Sequence, residues 1–399
     1  MRIKEIRALV VDITPHPTTP PRVRPSDPGA AFISPLARYP EFAHLRGSWT
    51  PPTTWKRVAC LATAEDGTWG LGLTLYSGPV AAIINDHLGP ALVGQDCMAI
   101  EKHYDLLNRM TAAYGSGGMA SYAISAIDTA LWDLKGKLLG QPVYALLGGP
   151  QKERIFCYGS NTILTYGLET SLKWYLELGF KAVKVFLTHG PADGLDGLRH
   201  NEEMVARARE IVGDEVELAL DCWMSLDVEY AVRLMDALRP YRLKWVEDVL
   251  LPEDQEGYVR LRGRTPWQTL ATGEHWYTPY PFAKAASQGL VDILQPDVLW
   301  AGGISAGVRI CHLAETFGVS VIAHAGMNYP YGQHLSYAMP AIAWGERSEG
   351  VSPPGVPLVD MVALPGTPVI RDGYLTPSDA PGFGLEVTLD WLRQRVVTP

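Results

Sequence analysis

The chain has 399 residues, of which 47% are hydrophobic and 19% charged, with 12 tryptophans and 18 tyrosines. A length roughly two to three times that of a usual domain predicts one large domain and a smaller one, and the composition excludes a disordered polymer. The formal net charge of -9, without a dense stripe of lysine and arginine, argues against a nucleic-acid partner.

The five cysteines are widely spaced and form no CxxC pair, so neither a disulfide framework nor a thiolate zinc site is expected. The opening stretch, MRIKEIRALVVDITPHP, lacks the apolar core of a signal peptide. No run approaches the roughly 18 apolar residues of a membrane span. We therefore expect a cytoplasmic protein that has no membrane partner.

The first elements predicted along the chain are strands. Apolar residues alternate in IKEIRALVVDI and in WKRVACLATAEDGTWGLGLT, and the second stretch is expected to turn at EDG to form a hairpin. Between them, the Pro-rich residues 15–52 predict a long, mobile surface loop, and loops of this length are usually functional or disordered. Apolar residues at helical spacing then predict about three helices. Residues 1–125 are thus expected to form an α+β capping domain.

After the sequence LLGGP, short apolar runs alternate with amphipathic helical segments. Eight such runs follow one another: RIFCYGS, FKAVKVFLTHG, EVELALDCW, LKWVEDVLL, QTLATGEHW, VDILQPDVLW, VSVIAHAG and AIAWGERSE. This alternation is typical of the α/β class and predicts a (β/α) TIM-type barrel over residues 126–350. The Pro-rich segment 351–399 is expected to return to the capping domain.

Six of the predicted strands, the third to the eighth, end in a polar side chain capable of chemistry. These residues are Asp221, Glu247, Glu274, Asp297, His324 and Glu346. Consecutive members are separated by about the length of one strand and one helix. A barrel would therefore bring all six to its C-terminal rim, where barrel enzymes have their active sites.

Three consecutive members of this set, Asp221, Glu247 and Glu274, are carboxylates. Each one alone could equally well cap the helix that follows its strand. Three converging on one rim would repel one another unless a cation neutralised them. A hard divalent ion does so, and ligands that are all oxygen favour Mg²⁺ over Zn²⁺.

His324 alone is typical of a hydrogen-bonded core histidine. Asp297, one strand earlier, changes that interpretation, because a carboxylate bonded to one ring nitrogen fixes the tautomer and leaves the other nitrogen to take a proton. We therefore predict that the two residues form a catalytic dyad. Glu346 is predicted to be an additional acid or hydrogen-bond donor.

The carboxylate triad, QPD at 295–297, His324 and the stretch AISAIDTALWDLKGKLLGQPVYALLGG at 123–149 resemble the enolase superfamily in its mandelate racemase-like branch. LALDCWMSLDVEYAVRL, LKWVEDVLLPED, ATGEHW and FGLEV further resemble the L-rhamnonate dehydratases of that branch. The resemblance implies Mg²⁺-assisted removal of the proton next to a sugar-acid carboxylate and loss of the 3-hydroxyl, giving a 2-keto-3-deoxy acid. It also implies that His324 is the base and the acid for the departing hydroxyl, and that Glu346 hydrogen-bonds the enolate.

Four further residues are predicted near the substrate. Arg46, in HLRGSW, is positioned like the arginine of the dehydratases' mobile loop and is expected to clamp the substrate, the alternative being a solvated loop arginine. His189, in THGP, matches the dehydratases and is expected at the distal hydroxyls, unless it is an exposed loop histidine. Lys184 is expected as a structural or polarising group, and His275 is expected beside Glu274 without binding the metal.

The second predicted strand separates two reactions. Many racemases and cycloisomerases of the branch carry two lysines two residues apart there, whereas here Lys184 is followed by Phe186, which cannot take a proton. A single base favours elimination, with a racemase or epimerase on the same metal site as the alternative and a silent sugar-acid binder as the third possibility. The loop histidine of the dehydratases has no counterpart in RPSDPGAAFISP, which leaves the identity of the sugar acid open. A homo-oligomer is also expected.

Overall fold

The computed structural model describes residues 1–26, 33–39, 41–42, 55–160, 164–348 and 351–397. Parts of the predicted loop 15–52, including Arg46, lie outside these ranges. Within them, no helix is both long enough and apolar enough to cross a bilayer.

The N-terminal part is built on an antiparallel sheet in the order β1–β2–β3. The strands are β1 Ile3–Val11, β2 Arg57–Ala64 and β3 Trp69–Thr74. β2 and β3 form the predicted hairpin. The helices are α1 Ser77–Ala82, α2 Gly89–Leu92, α3 Ile100–Thr111 and α4 Met119–Leu139, with a π-helical stretch, Ile83–Leu88, joining α1 to α2.

Helix α4 lies directly against β3, because two glycines of that strand leave room for it. A Cβ atom at Gly70 would lie 2.1 Å from the carbonyl oxygen of Ala130, and one at Gly72 would lie 1.9 Å from that of Ala126. Residue 125, where the sequence analysis places the end of the capping domain, lies inside α4. One continuous helix therefore runs from the capping domain towards the barrel.

Eight parallel strands form the barrel, and they coincide with the eight apolar runs of the sequence. They are β4 Ile155–Ser160, β5 Ala182–Phe186, β6 Glu217–Asp221, β7 Val246–Glu247, β8 Leu270–Thr272, β9 Ile293–Leu294, β10 Ser320–Val321 and β11 Trp344–Arg347. Consecutive strands are neighbours from β4 to β10, and β11 pairs with β4. A single bridge between Val321 and Ile342 closes the remaining gap. The predicted (β/α) barrel with an α+β capping domain is confirmed.

One helix follows each of the first seven barrel strands and packs outside the sheet. The short helix α5 Val143–Leu146 precedes the barrel, and the outer helices are α6 Leu168–Glu177, α7 Gly194–Val212, α8 Val228–Leu238, α9 Gln255–Arg264, α10 Pro279–Ser287, α11 Gly303–Phe317 and α12 Pro330–Ala338. This alternation places every strand's C-terminal end on one rim.

The inside of the barrel is filled by a small cluster that mixes large aromatic residues with alanines. Its members are Tyr158, Ala182, Ala219, Trp245, Ala271, Ile293 and Ile322. The C-terminal segment adds β12 Tyr374–Leu375, antiparallel to β4, and α13 Leu389–Arg393. Its last described residues contact β1, where the Val397 N–H donates to the Val10 carbonyl at 2.9 Å.

Candidate active site

A cavity of about 540 Å³ lies at the C-terminal rim of the barrel. Its polar lining includes Lys184, Asp221, Glu274, Asp297, His324 and Glu346. Side chains of the capping domain, among them Ile13, Leu75 and Tyr76, complete its wall. Five of the six predicted rim residues thus reach one cavity, and the sixth, Glu247, is buried beneath it in contact with Lys184.

The Lys184 ammonium group is surrounded by carboxylates from three strands. Its Nζ lies 3.0 Å from Asp221 Oδ2 and 2.9 Å from Glu346 Oε1, and it also pairs with Glu247. The side chain is 1% exposed. Burial alone would lower the pKa of Lys184, but the three carboxylates raise that pKa well above its ordinary value. Lys184 is therefore a permanent internal cation.

Indole and backbone N–H groups hold the predicted metal ligands. Asp221 Oδ1 accepts the Trp223 backbone N–H at 2.9 Å, and Glu247 Oε2 accepts Trp245 Nε1–H at 2.8 Å. Glu274 Oε1 accepts Trp223 Nε1–H at 3.3 Å. The N-termini of α8 and α9 are capped by other side chains, those of Asp227 and Asp254. Asp221 and Glu247 therefore do not cap these two helices.

The electrostatics show an excess of buried negative charge. Burial raises the pKa of Asp221 to about 6 and the pKa of Glu247 to about 8, although the Lys184 ammonium works in the opposite direction. The charge of Glu274 also raises both pKa values. One ammonium group does not neutralise this cluster. Its buried carboxylate oxygens suit a hard divalent cation, so the residues present fit a magnesium ion.

His324 and Asp297 form the predicted pair. His324 Nδ1 lies 2.8 Å from Asp297 Oδ2, and His324 Nε2 lies 3.1 Å from Glu274 Oε2. Burial would lower the pKa of His324, but Glu274 and Asp297 raise that pKa well above its ordinary value. Asp297 uses its other oxygen to accept the Leu299 N–H at 2.6 Å. The ring is therefore held from both sides.

Glu346 lies on the next strand and faces the same cluster. Its Oε2 accepts the Ala325 N–H at 2.8 Å. Burial would raise the pKa of Glu346, but Lys184 and His324 lower that pKa. Glu346 is thus ionised in this arrangement.

The other predicted residues occupy different positions. His275 Nε2 lies 3.0 Å from Glu274 Oε1, and although burial opposes it, this carboxylate raises the pKa of His275. The His189 ring stacks on that of His200, with centroids 4.9 Å apart. Among the described residues, neither His275 nor His189 belongs to the cavity lining, whereas Lys184 does. Arg46 lies outside the described residues.

Asp248 and Trp300 lie at the site but were not among the residues predicted from the sequence. Oxygen or nitrogen atoms of Asp248, Glu274 and His275 lie within 4.8 Å of one another, which makes these residues another possible ligand group among the described parts of the chain. The two adjacent acids in WVED were the available signal. The Trp300 ring lies 4.8 Å from that of His324 and stacks at 5.4 Å on His275. In the sequence, Trp300 could have been noticed as an aromatic residue three positions after Asp297.

The backbone around the site is unusual in conformation. Four rim residues other than glycine adopt positive φ angles: Trp223 at 40°, Met224 at 61°, Asp248 at 44° and Ala325 at 49°. Each lies within three residues of the end of β6, β7 or β10, or of the dyad histidine. The left-handed region is costly for such residues, of the order of 1 kcal/mol or more each. The fold therefore maintains local strain where the functional groups converge.

The fold and site together define a class of protein: a barrel enzyme that combines buried carboxylates suited to a divalent cation with a paired histidine and aspartate in one cavity. Two family models match the chain, "Enolase C-terminal domain-like" at residues 168–391 and "Mandelate racemase / muconate lactonizing enzyme, N-terminal domain" at residues 52–148. The chain belongs to the enolase superfamily, in its mandelate racemase and muconate lactonizing enzyme group.

Named relatives lie within that family. The L-rhamnonate dehydratase of Saccharopolyspora erythraea is 40% identical over 359 residues, which cover 89% of this chain and 88% of the relative. The rhamnonate dehydratase of Gibberella zeae, solved in complex with Mg, has a TM-score of 0.86 and 29% identity over 99% of this chain and 96% of that one. The 3,6-anhydro-D-galactonate cycloisomerase of Zobellia galactanivorans has a TM-score of 0.77 and 26% identity, with both chains covered completely.

Proposed function

We propose that this chain is a Mg²⁺-dependent acid-sugar dehydratase and that L-rhamnonate is the first substrate to test. The reaction removes the proton next to the substrate carboxylate and expels the 3-hydroxyl as water, giving a 2-keto-3-deoxy acid. The observation that carries the proposal is the His324–Asp297 pair facing buried carboxylates across one cavity. The 40% identical relative supports the choice of substrate.

Asp221, Glu247 and Glu274 are the side chains proposed to hold the metal. They suit it because two of them already share a cation, the Lys184 ammonium, and the third interacts electrostatically with both. When bound, Mg²⁺ supplies positive charge where the substrate becomes more negative, and this lowers the barrier to proton removal.

His324 is the proposed base. Asp297 engages Nδ1, so the proton is to be taken by Nε2, and the same nitrogen then returns a proton to the departing 3-hydroxyl. For this role the ring must be neutral when the substrate binds. Glu346 is proposed to hydrogen-bond the enolate, and because its pKa is low it must gain a proton in the complex to act as a donor.

Roles near the substrate are proposed for four side chains. Lys184 lines the cavity but is already engaged with carboxylates, so its contribution is to polarise the site. His275 acts through Glu274. His189 is proposed to contact the distal hydroxyls, and Arg46 is proposed to contact the substrate carboxylate or a hydroxyl.

Phe186 favours elimination over racemisation. It lines the same cavity, with its ring centroid 5.6 Å from Lys184 Nζ, and it offers no group that can take a proton. A second base opposite His324 is what two-sided racemisation would need. Elimination needs one base and a leaving group protonated from the same side.

A specific test uses the purified chain with Mg²⁺ and L-rhamnonate in D₂O, followed by proton NMR. A dehydratase produces a new methylene at C3 that carries solvent deuterium, together with a 2-keto acid. Other aldonic and uronic acids are then screened in the same way. If none of them yields a 2-keto-3-deoxy acid, the proposal is wrong.

An isomerase is the second candidate, because the chain is also similar in fold to a cycloisomerase. A racemase or epimerase acting on the same site would exchange the proton next to the carboxylate and keep every hydroxyl. The D₂O spectra separate the two reactions directly.

We also propose a cytoplasmic homo-oligomer. All five cysteines are buried and free, which is compatible with a reducing compartment. Exposed apolar side chains lie on and before two neighbouring outer helices, with Tyr280 82%, Leu251 50% and Val259 44% exposed. Light scattering tests the assembly, and a particle of 43.7 kDa at micromolar concentration would exclude it.

A further inference from the structure

The loop that carries Asp297 is attached to the capping domain. We call residues 295–302, between β9 and α11, the dyad loop; it contains both Asp297 and Trp300. Its residues from 295 to 302 are all buried. Because buried backbone groups need hydrogen-bond partners, the position of this loop depends on what supplies them.

The first attachment is a hydrogen bond to the backbone of Leu299, two residues after Asp297. Thr74, the last residue of β3, donates its hydroxyl hydrogen to the Leu299 carbonyl at 2.7 Å. Leu299 in turn donates its N–H to Asp297 Oδ1 at 2.6 Å. The capping domain is therefore connected through a single residue to the carboxylate that orients His324.

Two further attachments come from one face of α4. Ser125 Oγ accepts the Gly302 N–H at 2.8 Å. Asp128 accepts the Ser305 N–H at 3.0 Å and the Ser305 hydroxyl at 2.5 Å, at the start of α11. Both ends of the dyad loop's second half are thus fixed by the capping domain.

Ring stacking also links the capping domain to the dyad. Tyr122, three residues before Ser125 on α4, stacks on Trp300 with ring centroids 5.9 Å apart and planes at 26°. Trp300 also neighbours the His324 ring, at 4.8 Å, and the His275 ring, at 5.4 Å. The capping domain therefore supports the histidine as well as the aspartate.

We propose that Thr74, Ser125 and Asp128 form a capping-domain clamp that positions the Asp297–His324 pair for proton transfer. They are positioning residues, since the contacts that carry this inference join them to the dyad loop and α11. The inference rests on the proposed function, because it assumes that His324 moves the proton. Loss of one hydrogen bond leaves a buried carbonyl or N–H without its partner and lets the loop shift. A small displacement of the catalytic base then lowers the rate of proton transfer.

The test replaces Thr74 by valine, which keeps the side-chain shape and removes the hydroxyl. With Mg²⁺ and L-rhamnonate, we expect Thr74→Val to lower kcat about 10-fold and to leave KM within about 2-fold. Thr74→Ser keeps the donor and is expected to restore kcat to within about 2-fold of the parent. The primary isotope effect with substrate deuterated at C2 should increase in Thr74→Val, because proton transfer becomes slower relative to other steps.

The matched control is Thr111→Val on α3. Thr111 is also fully buried in the capping domain, but its hydroxyl bonds to the Leu107 carbonyl of its own helix and to Ser116. This variant is expected to keep the parent kcat. Thermal unfolding of each variant shows whether it folds, and if Thr74→Val does not fold, Ser125→Ala is measured in its place with the same expected loss.

The outcomes separate this inference from the proposed function. If the parent turns over no sugar acid, the proposed function fails. If the parent is active and His324→Asn is inactive while Thr74→Val or Ser125→Ala retains full kcat, the clamp is wrong and the function stands. Equal impairment of Thr74→Ser and Thr74→Val would also overturn the clamp, because it would show that the hydroxyl is not what matters.

Discussion

The two halves of the barrel rim are supported in different ways. The carboxylate half, Asp221, Glu247 and Glu274 at the ends of β6 to β8, is held by tryptophans and Lys184 of the barrel itself. The dyad half, Asp297 and His324 at the ends of β9 and β10, depends on a loop bonded to the capping domain. The proposed cation site is thus built by one domain, whereas the proposed proton-transfer pair is supported by contacts from two. Glu346, on the next strand β11, completes the dyad half, and Lys184 joins the halves because it also contacts this residue.

The largest expected effect comes from removing the proposed base, which belongs to the dyad half alone. His324→Asn should lower kcat about 10³-fold, because it removes the nitrogen proposed to take the proton. Mg²⁺ binding, measured by isothermal titration calorimetry, should stay within about 3-fold of the parent. A variant that lost Mg²⁺ binding together with activity would show that the two halves are not separable.

Lys184→Met should weaken the contact between the halves. Removing the only lysine that pairs with these carboxylates among the described residues leaves buried negative charge without its counter-ion, at a cost of about 3 kcal/mol in EDTA. Urea unfolding measures this loss. Adding Mg²⁺ should recover part of it and should stabilise the variant more than the parent. An unfolding free energy in EDTA equal to the parent's would contradict this account.

Glu247→Gln tests the carboxylate half alone. It should weaken Mg²⁺ binding at least about 10-fold and lower kcat/KM about 10²-fold at limiting Mg²⁺, since a neutral amide is a poorer ligand for a hard cation. Calorimetry with Mg²⁺ provides the measurement. Glu169→Gln, on the exposed face of α6, is the control and should behave like the parent. Unchanged Mg²⁺ affinity in Glu247→Gln would remove this residue from the proposed ligands.

The smallest effect concerns the link from the capping domain to the dyad half. Burial raises the pKa of Asp128 to about 7, although its bonds from Ser305 oppose this. The folded chain therefore holds this proton more tightly than the unfolded chain does. The resulting stabilisation is complete below about pH 4 and is lost as the pH rises through about 7.

Asp128→Asn cannot titrate, which isolates this contribution. The parent's unfolding free energy, measured relative to that of Asp128→Asn, should fall as the pH rises from about 4 to about 8. Urea unfolding at several pH values, in EDTA for both proteins, provides the comparison. Parallel stability curves would mean that Asp128 titrates alike in the folded and unfolded states.

Sequence periodicity was sufficient for the barrel and most of its rim. Asp221, Glu274, Asp297, His324 and Glu346 lie at or near the C-terminal ends of parallel strands, one or two strand–helix units apart, and a barrel brings such positions to one cavity. The hairpin was equally accessible, because its turn residues and alternating strands are local signals.

Contacts between residues far apart in the sequence could not be predicted in the same way. No local pattern connects Thr74 to Leu299, which lie 225 residues apart, or gathers three carboxylates around Lys184. These contacts depend on how the domains and strands pack, whereas periodicity reports only on neighbours within an element. His189 illustrates the limit: its strand and loop were predicted, but its stacking on His200 was not.

The left-handed backbone at Trp223, Met224, Asp248 and Ala325 has a consequence for engineering. A library selected only for heat resistance would tend to accept glycine or asparagine at these positions, where either residue tolerates the conformation better. The survivors would be more stable but slower catalysts, because Trp223 and Ala325 line the cavity. Screening for turnover alongside survival would preserve all four.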